Sequence, residues 1–282
     1  MRIDLHVHST ASDGTVAPAD VARRAAVAGL TAFALTDHDT LAGVAEARAA
    51  GAGLGVRVVA GCEFSVDGPG GEMHLLGYFL PDSDSTVEGF LEDQRQKRVN
   101  RAALIVGRLN KLGIAVTLEQ VREIAGNGAV GRPHVARAIV AAGAARDIGD
   151  AFDKYIGMGR PACVPKVLPK VTQVTALVRA AGGVTSAAHL KDRGVKPILQ
   201  LLKQAGVDGV EVLHSSHDES TRKRLAKLSA ELGLVPTGGS DWHGDFAVDR
   251  PAVGLGALDV PPAWLEQVER LHTERVSAEV GK

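Results

Sequence analysis

Short apolar runs alternate along the chain with stretches whose apolar positions recur every three or four residues. This pattern predicts buried strands separated by helices. Ile3 to Val7 reads as a strand, and Pro18 to Gly29, apolar at Val21, Ala25 and Ala28, as a helix. Thr31 to Leu35 is a strand, Leu41 to Ala50 a helix, and Val56 to Cys62 a strand. Met73 to Leu80 is a further strand with no room for a helix before it, and the intervening Gly68-Pro-Gly-Gly71 reads as a turn. Later strands are expected at Gly183 to Ala188, Val207 to Leu213 and Leu234 to Gly239, with helices near Val195 to Gln204 and Ser220 to Leu232. Seven strands result, mostly followed by helices, and this predicts an α/β fold with a parallel sheet. Functional groups clustered at the strands' C-terminal ends suggest closure into a barrel.

One stretch breaks the alternation. Residues from about Asp84 to Gly113 read as one long helix, apolar at Val87, Leu91, Leu104, Ile105, Leu109 and Leu112, with a basic middle at Arg95, Lys97, Arg98 and Arg101. Helical pieces continue to Tyr155, followed by a loop marked by Gly and Pro that runs from Gly157 to Lys166. The expected division is therefore a barrel from residues 1–98 and 166–282, with a helical insertion at 99–165 capping it.

Composition narrows the function classes. With 282 residues, 45% of them hydrophobic, the chain can bury a full core. Its 32 basic and 33 acidic residues nearly cancel, so no global field attracts nucleic acid or an anionic membrane. An anionic ligand has to be captured locally. Two cysteines, Cys62 and Cys163, are too few for a disulfide framework or a thiolate zinc site. No run approaches the roughly 20 apolar residues of a membrane span, and the first strand starts next to Met1 without a signal-like segment. The expectation is a soluble cytoplasmic protein with no obligate protein partner.

The histidines carry the chemistry. Of ten, six fall in or just after predicted strands: His6, His8, His38, His74, His189 and His243. Asp13, Asp37, Glu63 and Asp241 stand close to them in sequence. His6 and His8 are two apart on a strand and so point the same way, which lets two imidazoles share one cation. A lone H-x-H is weak, but burying this many imidazoles and carboxylates without cations would cost several kcal/mol. Mixed nitrogen and oxygen ligation without thiolate suits zinc, manganese or iron better than calcium. Cys62, adjacent to Glu63, should face the opposite way into the core. His272, on the last predicted helix, is expected at the surface.

The segments D-L-H-V-H-S-T-A-S-D at 4–13, T-D-H-D at 36–39, G-C-E-F-S at 61–65, E-M-H-L-L-G-Y at 72–78, A-A-H-L at 187–190 and G-G-S-D-W-H-G at 238–244 resemble the polymerase and histidinol phosphatase (PHP) family. The resemblance covers nearly the whole chain. It implies a distorted (β/α)7 barrel holding two or three divalent ions of manganese, iron or zinc. It further implies one metal on His6, His8, Glu63 and Asp241, a second on Glu63, His74 and His189, and a third on Asp13, His38 and His243.

A divalent cluster supports hydrolysis by lowering the pKa of bound water and neutralising phosphate oxygens. No serine nucleophile elbow or nucleoside triphosphate loop competes. The G-R-P-H segment at 131–134, the 151–166 stretch and the S-S-H at 215–217 resemble the nucleotide-acting branch of the family. That resemblance implies removal of the 3′-phosphate from 3′,5′-nucleoside bisphosphates, or 5′-to-3′ trimming of short oligonucleotides, by a metal-bridging hydroxide. Arg132, His134, Arg160, Lys166, His214, His217 and Arg250 are the candidate substrate contacts. His38, His217 and Asp241 are the candidates for the chemical step, the first two as proton donors to the leaving hydroxyl. The branch pattern is departed from at Leu190 and Trp242, and Trp242 is expected to add bulk near the metals. The alternatives are a small-metabolite phosphatase, such as one acting on histidinol phosphate, and a non-catalytic PHP module.

Overall fold

The computed structural model describes residues 1–244 and 253–280. Among the described residues seven strands lie side by side in chain order: β1 (Ile3–Val7), β2 (Ala32–Leu35), β3 (Arg57–Gly68), β4 (Gly71–Tyr78), β5 (Val184–Ala187), β6 (Gly209–His214) and β7 (Val235–Gly239). Past β7 the chain returns to β1, where Asp241 N–H donates to His6 O and His8 N–H to Trp242 O, each at 2.9 Å. The barrel is thereby nearly closed.

The expectation of a parallel sheet needs one correction. β4 runs antiparallel to both β3 and β5, while the other pairs are parallel. The cause is local: Gly70 and Gly71 adopt positive φ of 87° and 94°, which lets a tight turn replace a helical crossover. β3 therefore extends well beyond Cys62, to Gly68.

The barrel strands are followed or flanked by helices α1 (Pro18–Val27), α2 (Val44–Ala52), α3 (Ser85–Lys111), α4 (Leu118–Ala125), α5 (Arg132–Ala141), α6 (Ile148–Ala151), α7 (Val171–Ala180), α8 (Lys196–Gln204), α9 (Glu219–Leu232) and α10 (Pro262–Val280). α7 is not among the elements the pattern predicts, although Val171, Val174 and Val178 recur at helical spacing and are buried. α6 passes directly into a π-helical turn, Phe152–Ile156.

α3 spans the expected barrel–insertion boundary without a break. Its first turns, through Val87 and Leu91, join the barrel core around Phe64, Leu75 and Val174. Beyond Ala102, Ile105 and Leu109 join a separate cluster with Val121, Ile139, Ile156 and Val164. One helix thus belongs to two cores, with Arg95 and Arg98 at the junction. Asp84 caps its start by accepting from the backbone N–H groups of Thr86 and Val87.

Candidate metal centre and cavity

The strands' C-terminal ends converge on Glu63, which is 1% exposed. Its Oε1 lies 2.7 Å from His74 Nδ1 and 2.9 Å from His189 Nε2. Its Oε2 lies 3.1 Å from His8 Nε2, 3.3 Å from His38 Nδ1 and 3.4 Å from His6 Nε2. Five imidazoles, drawn from β1, β4 and the loops after β1, β2 and β5, therefore meet on one carboxylate. Burial alone would raise the Glu63 carboxyl, but His74, His38 and His6 hold it well below the usual carboxylate range.

Backbone geometry brings the remaining groups in. Asp241 and His189 carry positive φ of 56° and 30°, uncommon for side-chain-bearing residues and held by their surroundings. Gly239 sits so close to β1 that a Cβ there would overlap the Cβ and backbone N of His6. Beyond β7, His243 Nε2 lies 3.2 Å from Asp13 Oδ1, and its ring stacks on His8 with centroids 4.0 Å apart. Asp37 fixes the loop between them, accepting from Ser9 N–H at 2.8 Å and from the Ser9 and Ser12 hydroxyls.

The donor sets suit cations. His6 Nε2 and His8 Nε2 are 3.1 Å apart, and each lies 3.4 Å from Asp241 Oδ1. These separations match the edge of about 3.4 Å expected when nitrogen and oxygen ligands sit about 2.1 Å from a tetrahedral cation. His6, His8, Glu63 and Asp241 form one such group, and His8, Asp13, His38 and His243 a second. A third consists of His38, Glu63 and His74. The first group coincides with the set implied by the family resemblance. In the others the structure adds His8 beside Asp13 and brings His38 to Glu63 along with His74. Burial holds the imidazoles of His8, His38 and His74 below their ordinary range, in the neutral form that ligates metals. His6 differs: burial opposes its charge, but Asp241, Glu211 and Glu63 overcome this and raise it well above the ordinary value.

A cavity of about 240 Å³ opens beside this cluster. Asp13, His38, His74 and His243 line it together with the cationic side chains Arg98, Arg101, Arg132, Arg137 and Lys166. Thr15, Gly131, Pro133, Ile148 and Phe152 complete the lining, and Arg132 sits 5.5 Å over the Phe152 ring. Lys166 Nζ lies 2.6 Å from Glu72 Oε1 and 3.0 Å from Ser65 Oγ. Burial lowers its ammonium to about 8.

Of the candidate substrate contacts among the described residues, the structure brings Arg132 and Lys166 to this cavity but not the others. His134 is 2% exposed, and its Nδ1 accepts from Gly131 N–H at 3.0 Å, capping α5; burial lowers it to about 4. Arg160 is exposed on its loop, outside the cavity lining. His214 and His217 are 3% and 2% exposed and turn inward behind the cluster. His217 Nδ1 donates to Val212 O and its Nε2 accepts from Lys191 N–H, both at 3.1 Å, so neither nitrogen is free for a leaving hydroxyl. Arg250 lies outside the described residues. Trp242 is 3% exposed and packs with Val7 and Phe33 in the core, so it does not narrow the cavity. His272 is not a surface residue as expected: it is half-buried, stacks on Phe79 at 4.7 Å and bonds Gly182 O at 2.8 Å.

Sequence reasoning did not single out Glu211, Arg137 or Phe152, and it read Arg98 and Arg101 only as the polar middle of a helix. A carboxylate between two valines of a buried strand, Gly209-Val-Glu-Val, was the available signal for Glu211.

A barrel of this form with imidazoles and carboxylates gathered at its mouth defines a metal-dependent hydrolase. The PHP domain model matches residues 4–154, and the chain belongs to that family. A 5′-3′ exoribonuclease of Haemophilus influenzae is 32% identical over 269 residues, covering 93% of this chain and 98% of the relative. The 3′,5′-nucleoside bisphosphate phosphatase of Chromobacterium violaceum is 33% identical over 264 residues, covering 92% of this chain and 90% of the relative. Among solved structures, a protein of Bifidobacterium adolescentis assigned as a metal-dependent phosphoesterase superposes with a TM-score of 0.87 at 30% identity, covering 95% of this chain and 96% of that one.

Proposed function

We propose that the protein is a metal-dependent phosphoesterase acting on nucleotide phosphate esters, either 3′,5′-nucleoside bisphosphates or the 5′ ends of short oligonucleotides, in a site capped by residues 99–165. The observation that carries this reading is a cavity lined both by Asp13, His38, His74 and His243 and by five cationic side chains. A lining that combines the two sets suits a substrate with two phosphates, one hydrolysed and one held. The names of the relatives above, an exoribonuclease and a bisphosphate phosphatase, support the same substrate class.

His6, His8, Glu63 and Asp241 would hold one cation, with Glu63, His74, His38 and His189, and Asp13, His38, His243 and His8, as the donors for others. Divalent ions bound there supply a water-derived nucleophile at neutral pH and offset the negative charge of the phosphoryl oxygens. The chain's own groups do the remaining work. Arg98, Arg101, Arg132 and Lys166 anchor the non-reacting phosphate, and a guanidinium does so through two parallel hydrogen bonds. The buried, inward-facing cluster restricts water and holds the reacting ester in a fixed orientation. His38 lies on the cavity wall but, held neutral by burial and counted among the cation donors, would hold a cation there and not pass a proton to the leaving hydroxyl.

The test is phosphate release from 3′,5′-adenosine bisphosphate and nucleotide release from short 5′-phosphorylated RNA, with manganese and with chelator. Turnover of either substrate that chelation abolishes supports the reading. Absence of turnover on both in protein shown to contain metal rejects it.

A further inference from the structure

β6 contributes no residue to the implied ligand sets, yet it turns two buried polar side chains toward them. Glu211 and His214 are three apart and would face opposite sides of a regular strand. The register against β7 shifts between Glu211 and Leu213, and this irregularity turns both side chains to the barrel interior.

Each then meets a ligand-bearing segment. Glu211 is fully buried, and its Oε1 lies 3.1 Å from His6 Nδ1. Its Oε2 accepts from the backbone N–H of His189 at 2.8 Å. The carboxylate can only accept, so His6 Nδ1 keeps its proton, and a cation held by His8, Glu63 and Asp241 would take the lone pair of Nε2 in place of the second proton. His214 Nδ1 accepts from Ser216 N–H at 3.0 Å, which leaves the ring proton on Nε2; that nitrogen faces Asp241 Oδ2 at 3.3 Å, close but not aligned as a hydrogen bond. With Nδ1 accepting, His214 turns an N–H toward Asp241 and offers no lone pair there, so His6, Glu211 and His214 do not make a separate cation site, although their atoms lie close together. The two ligand residues with strained backbones, His189 and Asp241, are both met by side chains of β6: His189 N–H donates to Glu211, and Asp241 faces His214.

We infer that β6 is a bracing strand, in which Glu211 and His214 are positioning residues that set the His6 tautomer, the His189 backbone and the Asp241 carboxylate for cation binding. This rests on the metal-dependent reading above. Groups of this kind commonly change metal affinity or activity by about 10- to 100-fold when removed. Glu211→Gln keeps size but sets an amide N–H against either His6 Nδ1–H or His189 N–H.

Two measurements on the full chain test it. Long-range proton–nitrogen NMR of the wild-type protein reads the tautomers directly: protonation at His6 Nδ1 and His214 Nε2 is expected, and the opposite tautomer at either ring overturns the assignment. Manganese titration of metal-stripped protein should show about 10- to 100-fold weaker binding in Glu211→Gln, with kcat for 3′,5′-adenosine bisphosphate reduced and KM unchanged. Glu211→Asp should recover part of the affinity. Wild-type affinity in a folded Glu211→Gln, or a loss confined to KM, contradicts the inference. Wild-type protein that binds manganese but hydrolyses neither nucleotide substrate would reject the proposed function alone, leaving the tautomer and affinity results to stand by themselves.

Discussion

Arg98 Nε donates to Asp39 Oδ2 at 2.6 Å, joining the middle of α3 to the loop that carries His38. Both side chains are largely buried, at 16% and 5% exposed, and Asp39 holds a positive φ of 52°. Arg95, one turn earlier, donates to the Asp39 carbonyl at 3.1 Å. The junction between the two hydrophobic cores is therefore also a support for the metal centre.

Removing one partner of this pair leaves a buried charge without compensation. Arg98→Ala is expected to lower stability by about 3 kcal/mol, read as a shifted urea midpoint. Arg98→Ala combined with Asp39→Asn should cost less than the sum of the single changes. Strict additivity would show that the pair does not couple.

Glu63 is the common contact of five imidazoles, so its loss should exceed that of any supporting group. Glu63→Ala is expected to reduce turnover by more than about 100-fold, the upper range for residues that only orient ligands. Elemental analysis should show at least one fewer metal per chain. A variant with full metal content would break the link between this carboxylate and the cluster.

Lys166 gives a pH dependence whose sign follows from burial. Its folded value of about 8 lies below the ordinary lysine range, so the ammonium is present below that pH and lost above it. Substrate anchoring should weaken as pH rises through about 8, seen as a rise in KM; Lys166→Arg should remove that limb because guanidinium stays charged. The stability effect runs the other way: burying the ammonium costs the folded state below pH 8, and the cost fades as pH rises toward the unfolded value. A KM that is flat through this range would exclude Lys166 as the anchor.

Gly239 allows β7 to approach His6. Gly239→Ala should destabilise the fold by about 1–3 kcal/mol through overpacking and weaken manganese binding by displacing His6. Calorimetric unfolding and metal titration together check this. Unchanged values in both would mean that the close approach is easily relieved.

The ligand cluster was legible in the sequence because strand ends impose a fixed direction. His6 and His8 at two-residue spacing share an orientation that alternation alone supplies, whereas Asp241 and His243 lie past β7 and meet the cluster through the left-handed backbone of Asp241. Glu211 and His214 were not legible in the same way, since the register shift in β6 overturns the alternation on which the inference depends. His217 was read as facing the substrate because it follows a strand; hydrogen bonds to Val212 and Lys191 turn it inward instead. The antiparallel course of β4 was foreshadowed only by the missing helix before it. Long-range packing decided the cations: Arg98 and Arg101 project from a helix whose position over the barrel mouth no local pattern reveals.

The central claim is that this cluster binds divalent ions that the reaction requires. Metal content per chain and turnover of 3′,5′-adenosine bisphosphate, measured on the same preparation before chelation, after it and after manganese is returned, test it most directly. Bound metal with activity lost on stripping and restored by manganese is the predicted result. Full activity in protein stripped of metal would contradict it.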